Sequence, residues 1–103
     1  MNVTITFPIR GNNFRPASAK QVFNDLDFDA EITLVPEPDN KYDPNAIQVH
    51  AQGEFIGFVG KEYAVGLVDH MDSVVSSKYN GMGQGEVTYD DPDAGEDDDS
   101  DEN

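Results

Sequence analysis

Residues 34–59 read L-V-P-E-P-D-N-K-Y-D-P-N-A-I-Q-V-H-A-Q-G-E-F-I-G-F-V, a strand end, a proline-rich loop and a hairpin in succession. Its first residues end a strand that begins at Ala30, in which Ile32 and Leu34 share a face because side chains alternate along a strand. Pro36, Pro38 and Pro44 then remove backbone donors, while Asp39, Asn40, Asp43 and Asn45 offer short side chains to nearby amides. Residues 36–45 are therefore a long loop. Residues 46–51 and 54–59 return to the strand pattern, with Ile47 and Val49 inward, and Gln52-Gly53 joins them as a β-hairpin.

Upstream, Val3, Ile5 and Phe7 alternate with Thr4 and Thr6, so residues 3–9 form a half-buried strand, and Pro8 marks an edge or the strand's end. Gly11-Asn12-Asn13 is a turn. Pro16-Ala17-Ser18 opens a short helix with Val22, Phe23 and Leu26 on one face. Downstream, Tyr63, Ala64, Leu67, Val68 and Met71 recur at helical spacing and predict a helix over residues 61–75. Gly66 within it costs roughly 1 kcal/mol relative to alanine, which suggests that a neighbour packs closely there. Residues 76–85 are polar and glycine-rich, and residues 85–89 form a last strand with Val87 and Tyr89 inward. The predicted class is mainly β or α+β, a small six-stranded OB- or SH3-like partly open barrel with one or two short helices.

The chain's 103 residues suffice for one domain, expected over residues 1–88, followed by an acidic, disordered tail over residues 89–103. The tail has no base and nine acids: Asp90, Asp91, Asp93, Glu96, Asp97, Asp98, Asp99, Asp101 and Glu102. The other twelve acids and all six bases lie in residues 1–88, so the domain carries a net −6 of the chain's −15. There is no cysteine, which excludes disulfides and thiol chemistry. No apolar run approaches the roughly 20 residues of a membrane span, and Met1-Asn2-Val3-Thr4 lacks a secretion signal, so a bacterial or infected-host cytoplasm is the expected location. His50 and His70 lack partners at metal-ligand spacing. No nucleophile–base pair, phosphate loop or paired catalytic carboxylates can be placed, so neither catalysis nor a cofactor is expected.

Glu37, Pro38, Asn40, Tyr42, Asp43, Asn45, Ala46, Ile47, Val49, Gly53, Ile56, Gly57, Val59 and Lys61 fall at the spacing of a recognisable signature. In this pattern the chain resembles the HIRAN family; an upstream glycine followed closely by an aromatic is matched by Gly11 and Phe14. The resemblance implies an OB-related barrel with a pocket for the 3′ end of a single DNA strand. It implies that Tyr42 and Phe14 sandwich the terminal base, that Asp43 accepts a hydrogen bond from the terminal hydroxyl, and that Lys61 reaches a phosphate. Phe58 falls at a pocket-lining position. Where family members often place a base before the upstream aromatic, this chain has Asn13, and Arg15 follows instead.

Two functions follow. The first is a non-catalytic module that binds single-stranded DNA ends through Phe14, Arg15, Tyr42, Asp43, Phe58 and Lys61. The residues themselves leave another role open, since Asp43, Asn40 and Asn45 also suit loop capping and Tyr42 a lid over the barrel. The second is an acidic protein that blocks a basic nucleic-acid-binding partner through its surface and tail, because acidic surfaces repel phosphates and attract basic proteins.

Overall fold

The computed structural model describes residues 1–92. Strand β1 (Asn2–Arg10) leads through a 3₁₀ turn (Asn12–Phe14) into helix α1 (Ala17–Asp25). Strands β2 (Thr33–Pro36), β3 (Ile47–Ala51) and β4 (Glu54–Val59) follow, and then helix α2 (Lys61–Leu67). A 3₁₀ segment (Val68–Ser73) precedes β5 (Val74–Gly81) and β6 (Gln84–Asp90). The strands make one antiparallel sheet in the order β2-β3-β4-β1-β6-β5, curled into a half-barrel with two short helices, as expected from the sequence.

The curl comes from β1 changing partner along its length. Residues from Asn2 to Pro8 pair with β6, whereas Ile9 and Arg10 pair with Val59 and Phe58 of β4. Pro8 stands at the handover, so it is interior to the sheet rather than at an edge or a strand end. Its missing N–H is no loss at this point, and its carbonyl accepts from Gly60 N at 2.8 Å. Gly60 has to be small, because a β-carbon there would lie 2.7 Å from Pro8 Cγ.

Residues 29–32 draw the two sheet edges together. Asp29 N donates to Tyr79 O (2.9 Å), Tyr79 N to Ala30 O (2.7 Å) and Ile32 N to Ser77 O (3.2 Å). Lys78 Nζ pairs with Asp29 across the same seam at 3.2 Å, and with Glu86 on the neighbouring β6 at 3.8 Å. The hydrogen bond and charge of Asp29, with the charge of Glu86, raise the Lys78 ammonium above its ordinary pKa. Inside the curl, Phe7, Ile47, Val49, Ile56, Leu67 and Val87 are fully buried. Helix α1 covers this core with buried Ala19 and half-buried Val22, Phe23 and Leu26, while α2 contributes Ala64 and Leu67.

Three elements differ from the sequence reading. The helix expected over residues 61–75 stops at Leu67, and Val74 already belongs to β5. Gly66 faces open space, so it serves no close packing. Residues 76–81 are strand rather than connection: β5 is an edge strand with bulges at Val74/Ser76 and Tyr79/Gly81 that break the alternation by which strands are read. Strand β6 exceeds the expected strand over residues 85–89 by one residue at each end, Gln84 and Asp90; Met1 N meets Asp90 Oδ1 at 3.1 Å, and Asp91 N donates to Met1 O at 2.9 Å. The rest of the expected tail lies outside the described residues, as do Asp93, Glu96, Asp97, Asp98, Asp99, Asp101 and Glu102. Among the described residues, no helix is long and apolar enough to cross a membrane.

Candidate nucleic-acid interface

The loop between β2 and β3 is shaped by its own side chains. Asn40 Oδ1 accepts from the amides of both Tyr42 (2.8 Å) and Asp43 (2.9 Å), and Asn40 Nδ2 donates to Glu37 Oε1 at 2.7 Å. The other Glu37 oxygen accepts from Gln48 Nε2 on β3. These bonds, Gln48's first and Asn40's second, hold the Glu37 carboxyl below its ordinary pKa by favouring the ionised form. Ala46 N donates to Asp43 O at 3.0 Å and closes the loop onto β3.

The chain of contacts continues beyond the loop. Gln48 Oε1 lies 2.6 Å from His50 Nε2, and the His50 ring stacks on Phe55 at 5.2 Å between centroids. The Arg15 guanidinium sits 3.9 Å from the Phe55 ring centre, with Nε donating to Phe55 O at 2.9 Å. Phe55 in turn meets Phe58 edge-on. Polar and ring contacts thus connect the loop that carries Tyr42 to the segment that carries Phe14.

Beside this network opens a cavity of 250 Å³. Its apolar lining is Gly11, Ala46, Phe58 and Val59, and its charged lining is Arg10, Asp43 and Lys61. Arg10 and Phe58 are cross-strand partners and therefore present side chains to the same face. Lys61 is the first residue of α2, is exposed, and makes no ion pair among the described residues. Asp43 Oδ1 accepts from Asn45 N at 3.1 Å, while Oδ2 meets no donor among the described residues. Arg10 Nη2 pairs with Glu62 Oε2 at 2.7 Å.

The residues singled out in the sequence are placed unevenly. Asp43, Phe58 and Lys61 come together around the cavity. Tyr42 and Phe14 stand outside its lining, with 97% and 89% of their surface exposed, respectively. Arg15 is engaged by Phe55. Arg10 was not singled out and lines the cavity; its place just before Gly11 was the only signal. His50 and His70 both stack on rings, His70 on Tyr89 at 4.3 Å, and no group of three candidate metal ligands occurs among the described residues.

Charge separates this cavity from its neighbours. A larger hollow of 600 Å³ involves Glu31, Thr33, Val35 and His50, and its lining contains no lysine or arginine. Hollows at residues 36–40 and between β2 and β5 have none either. In a domain of net −6, the lining of the 250 Å³ cavity has two cations against one carboxylate, with Glu62 at the rim paired to one of the cations.

A curled antiparallel half-barrel with a ring, a carboxylate and cations at one opening is an OB-like module. The HIRAN domain model matches residues 3–89, and the chain belongs to the HIRAN family. HIRAN domains are DNA-binding modules and are not catalytic by themselves. The crystal structure of the HIRAN domain of human HLTF is similar with a TM-score of 0.68 and 20% identity, over 85% of this chain and 78% of that one. A crystal structure of a Lactobacillus plantarum protein is similar with a TM-score of 0.63 and 18% identity, over 87% of this chain and all of that one, 100%. No curated protein matches the chain.

Proposed function

We propose that the opening lined by Asp43, Phe58 and Lys61 receives the 3′ end of a single DNA strand. The observation that carries this reading is the pairing of a cation-bearing cavity with two freely exposed rings, Tyr42 and Phe14, in an otherwise acidic domain. An aromatic face stacks on any base, worth about 1–3 kcal/mol. Rings left this exposed contribute little to the protein's own core. Asp43 Oδ2 accepts a hydrogen bond from a terminal hydroxyl but repels a terminal phosphate, so the same carboxylate selects an unmodified end. Lys61 supplies charge to an internal phosphate.

The test is fluorescence anisotropy at low salt with short single strands ending in a 3′-hydroxyl or a 3′-phosphate. The hydroxyl strand binds more tightly, and the preference disappears in Asp43→Asn. Equal binding of the two strands by the unmodified protein contradicts the reading. With so few cations the affinity is modest and falls only gently with added salt, because the slope scales with the number of phosphates contacted. A second reading rests on the net charge of −15, which suits a basic protein partner. Removing residues 93–103 separates the two: DNA binding then persists or tightens, whereas a partner held by the acidic segment is lost.

A further inference from the structure

We infer that Arg10 is the principal phosphate anchor of the opening, and that Glu62 holds it in reserve until a strand arrives. This inference rests on the DNA-end reading above and names a residue which that reading does not use. Two arginines compete for the role. Arg15 lies nearer the exposed Phe14 in sequence, but its guanidinium sits over the Phe55 ring and its Nε is spent on the Phe55 carbonyl. Moving it would unstack a ring that also supports His50 and Phe58. Arg10 has no such structural duty. Its side chain shares a face with Phe58, lines the cavity, and makes one side-chain hydrogen bond among the described residues, the ion pair to Glu62.

That pair is of a kind readily exchanged. Both side chains are more than half exposed, at 57% and 53%, so solvent screens the attraction and the bond contributes little. A backbone phosphate offers the guanidinium the same fork geometry as a carboxylate and the same single negative charge, so the exchange costs Arg10 little. Glu62 is next to Lys61, so when Arg10 turns to a phosphate both cations of the opening act on the strand. In the free protein, Glu62 offsets one of the two charges and keeps Arg10 at the rim.

The experiment measures single-strand affinity against salt concentration for the full chain and for Arg10→Ala, Arg10→Lys, Arg15→Ala and Glu62→Gln, with circular dichroism checking that each folds. Arg10→Ala is expected to weaken binding about tenfold, as for one lost charged hydrogen bond. It also lowers the slope of log affinity against log salt by about 0.7, the share of one phosphate on a single strand. Arg10→Lys retains the slope and loses part of the affinity. Glu62→Gln tightens binding several-fold, and this gain shrinks when Arg10 is also alanine. If Arg10→Ala leaves affinity and slope unchanged while the unmodified chain binds, the anchor assignment is overturned and the DNA-end reading stands. If the unmodified chain binds neither strand at low salt, both fall.

Discussion

Around Phe7 the molecule leaves no free space, whereas around Tyr42 almost nothing touches the side chain. A β-carbon on Gly85 would stand 2.5 Å from Phe7 Cζ, closer than real atoms approach, and a tight 3.1 Å from Ile32 Cδ1. The loop carrying Tyr42 is held instead by directional bonds, with Asn40 gripping two amides and Glu37 gripping Asn40 and Gln48. The sheet wall is fixed by volume, and the loop by hydrogen-bond geometry. The two modes do different work. Packing gives the half-barrel its curvature and stability, while bonds made at the loop's base leave the ring at its tip unencumbered for a ligand.

This contrast predicts that wall and loop substitutions separate stability from binding. The largest effect belongs to Gly85→Ala, where overpacking against Phe7 costs about 3 kcal/mol; urea unfolding measures it, and the fraction that remains folded binds DNA normally. Next is Tyr42→Ala, which lowers single-strand affinity by about 1–3 kcal/mol, with a urea midpoint equal to that of the parent because the ring is exposed. A comparable loss of stability would show that Tyr42 belongs to the wall rather than to the ligand. Asn40→Ala is intermediate in kind: it removes three hydrogen bonds, costs about 1 kcal/mol net, and weakens binding by loosening the ring's support. Amide hydrogen exchange at Tyr42 and Asp43 accelerates in this variant while that of Val87 does not.

The smallest effect is on pH dependence. The lowered pKa of Glu37 means that its ionised form stabilises the native loop. That contribution is complete above the ordinary glutamate value of about 4.3, and it is lost as pH falls through the lower native value. Comparing unfolding midpoints at neutral and acid pH shows it: the parent loses more stability on acidification than Glu37→Gln does. An equal loss in both would remove the carboxylate from the loop's support.

The same contrast explains what was legible in the sequence. The loop announced itself because Asn, Asp and Pro act locally, and residues 36–45 state their conformation almost independently of the rest of the chain. The hairpin of β3 and β4 was equally plain from Ile47 and Val49, which are buried, and from the Gln52-Gly53 turn. Strand β5 was hidden because Ser76, Ser77 and Lys78 bring little apolar content to an edge whose bulges displace Tyr79 from strict alternation. Helix α2 was read too long because Val68 and Met71 keep the helical spacing within a 3₁₀ segment that packs on the same core. The cavity itself was only partly visible. The family pattern carries Asp43, Phe58 and Lys61, but Arg10 enters through the pairing of β1 with β4, which is set by tertiary structure. Arg15 illustrates the reverse case, since a cation near the right position is taken up by an aromatic ring that the sequence does not place beside it.

The most direct measurement is a ¹H–¹⁵N correlation titration of the protein with a short single strand ending in a 3′-hydroxyl, at low salt. Amide shifts concentrated at residues 10–15, 42–46 and 58–61 are the predicted result. Shifts confined to the β2–β5 seam or spread evenly over the sheet would contradict a strand end seated at this opening.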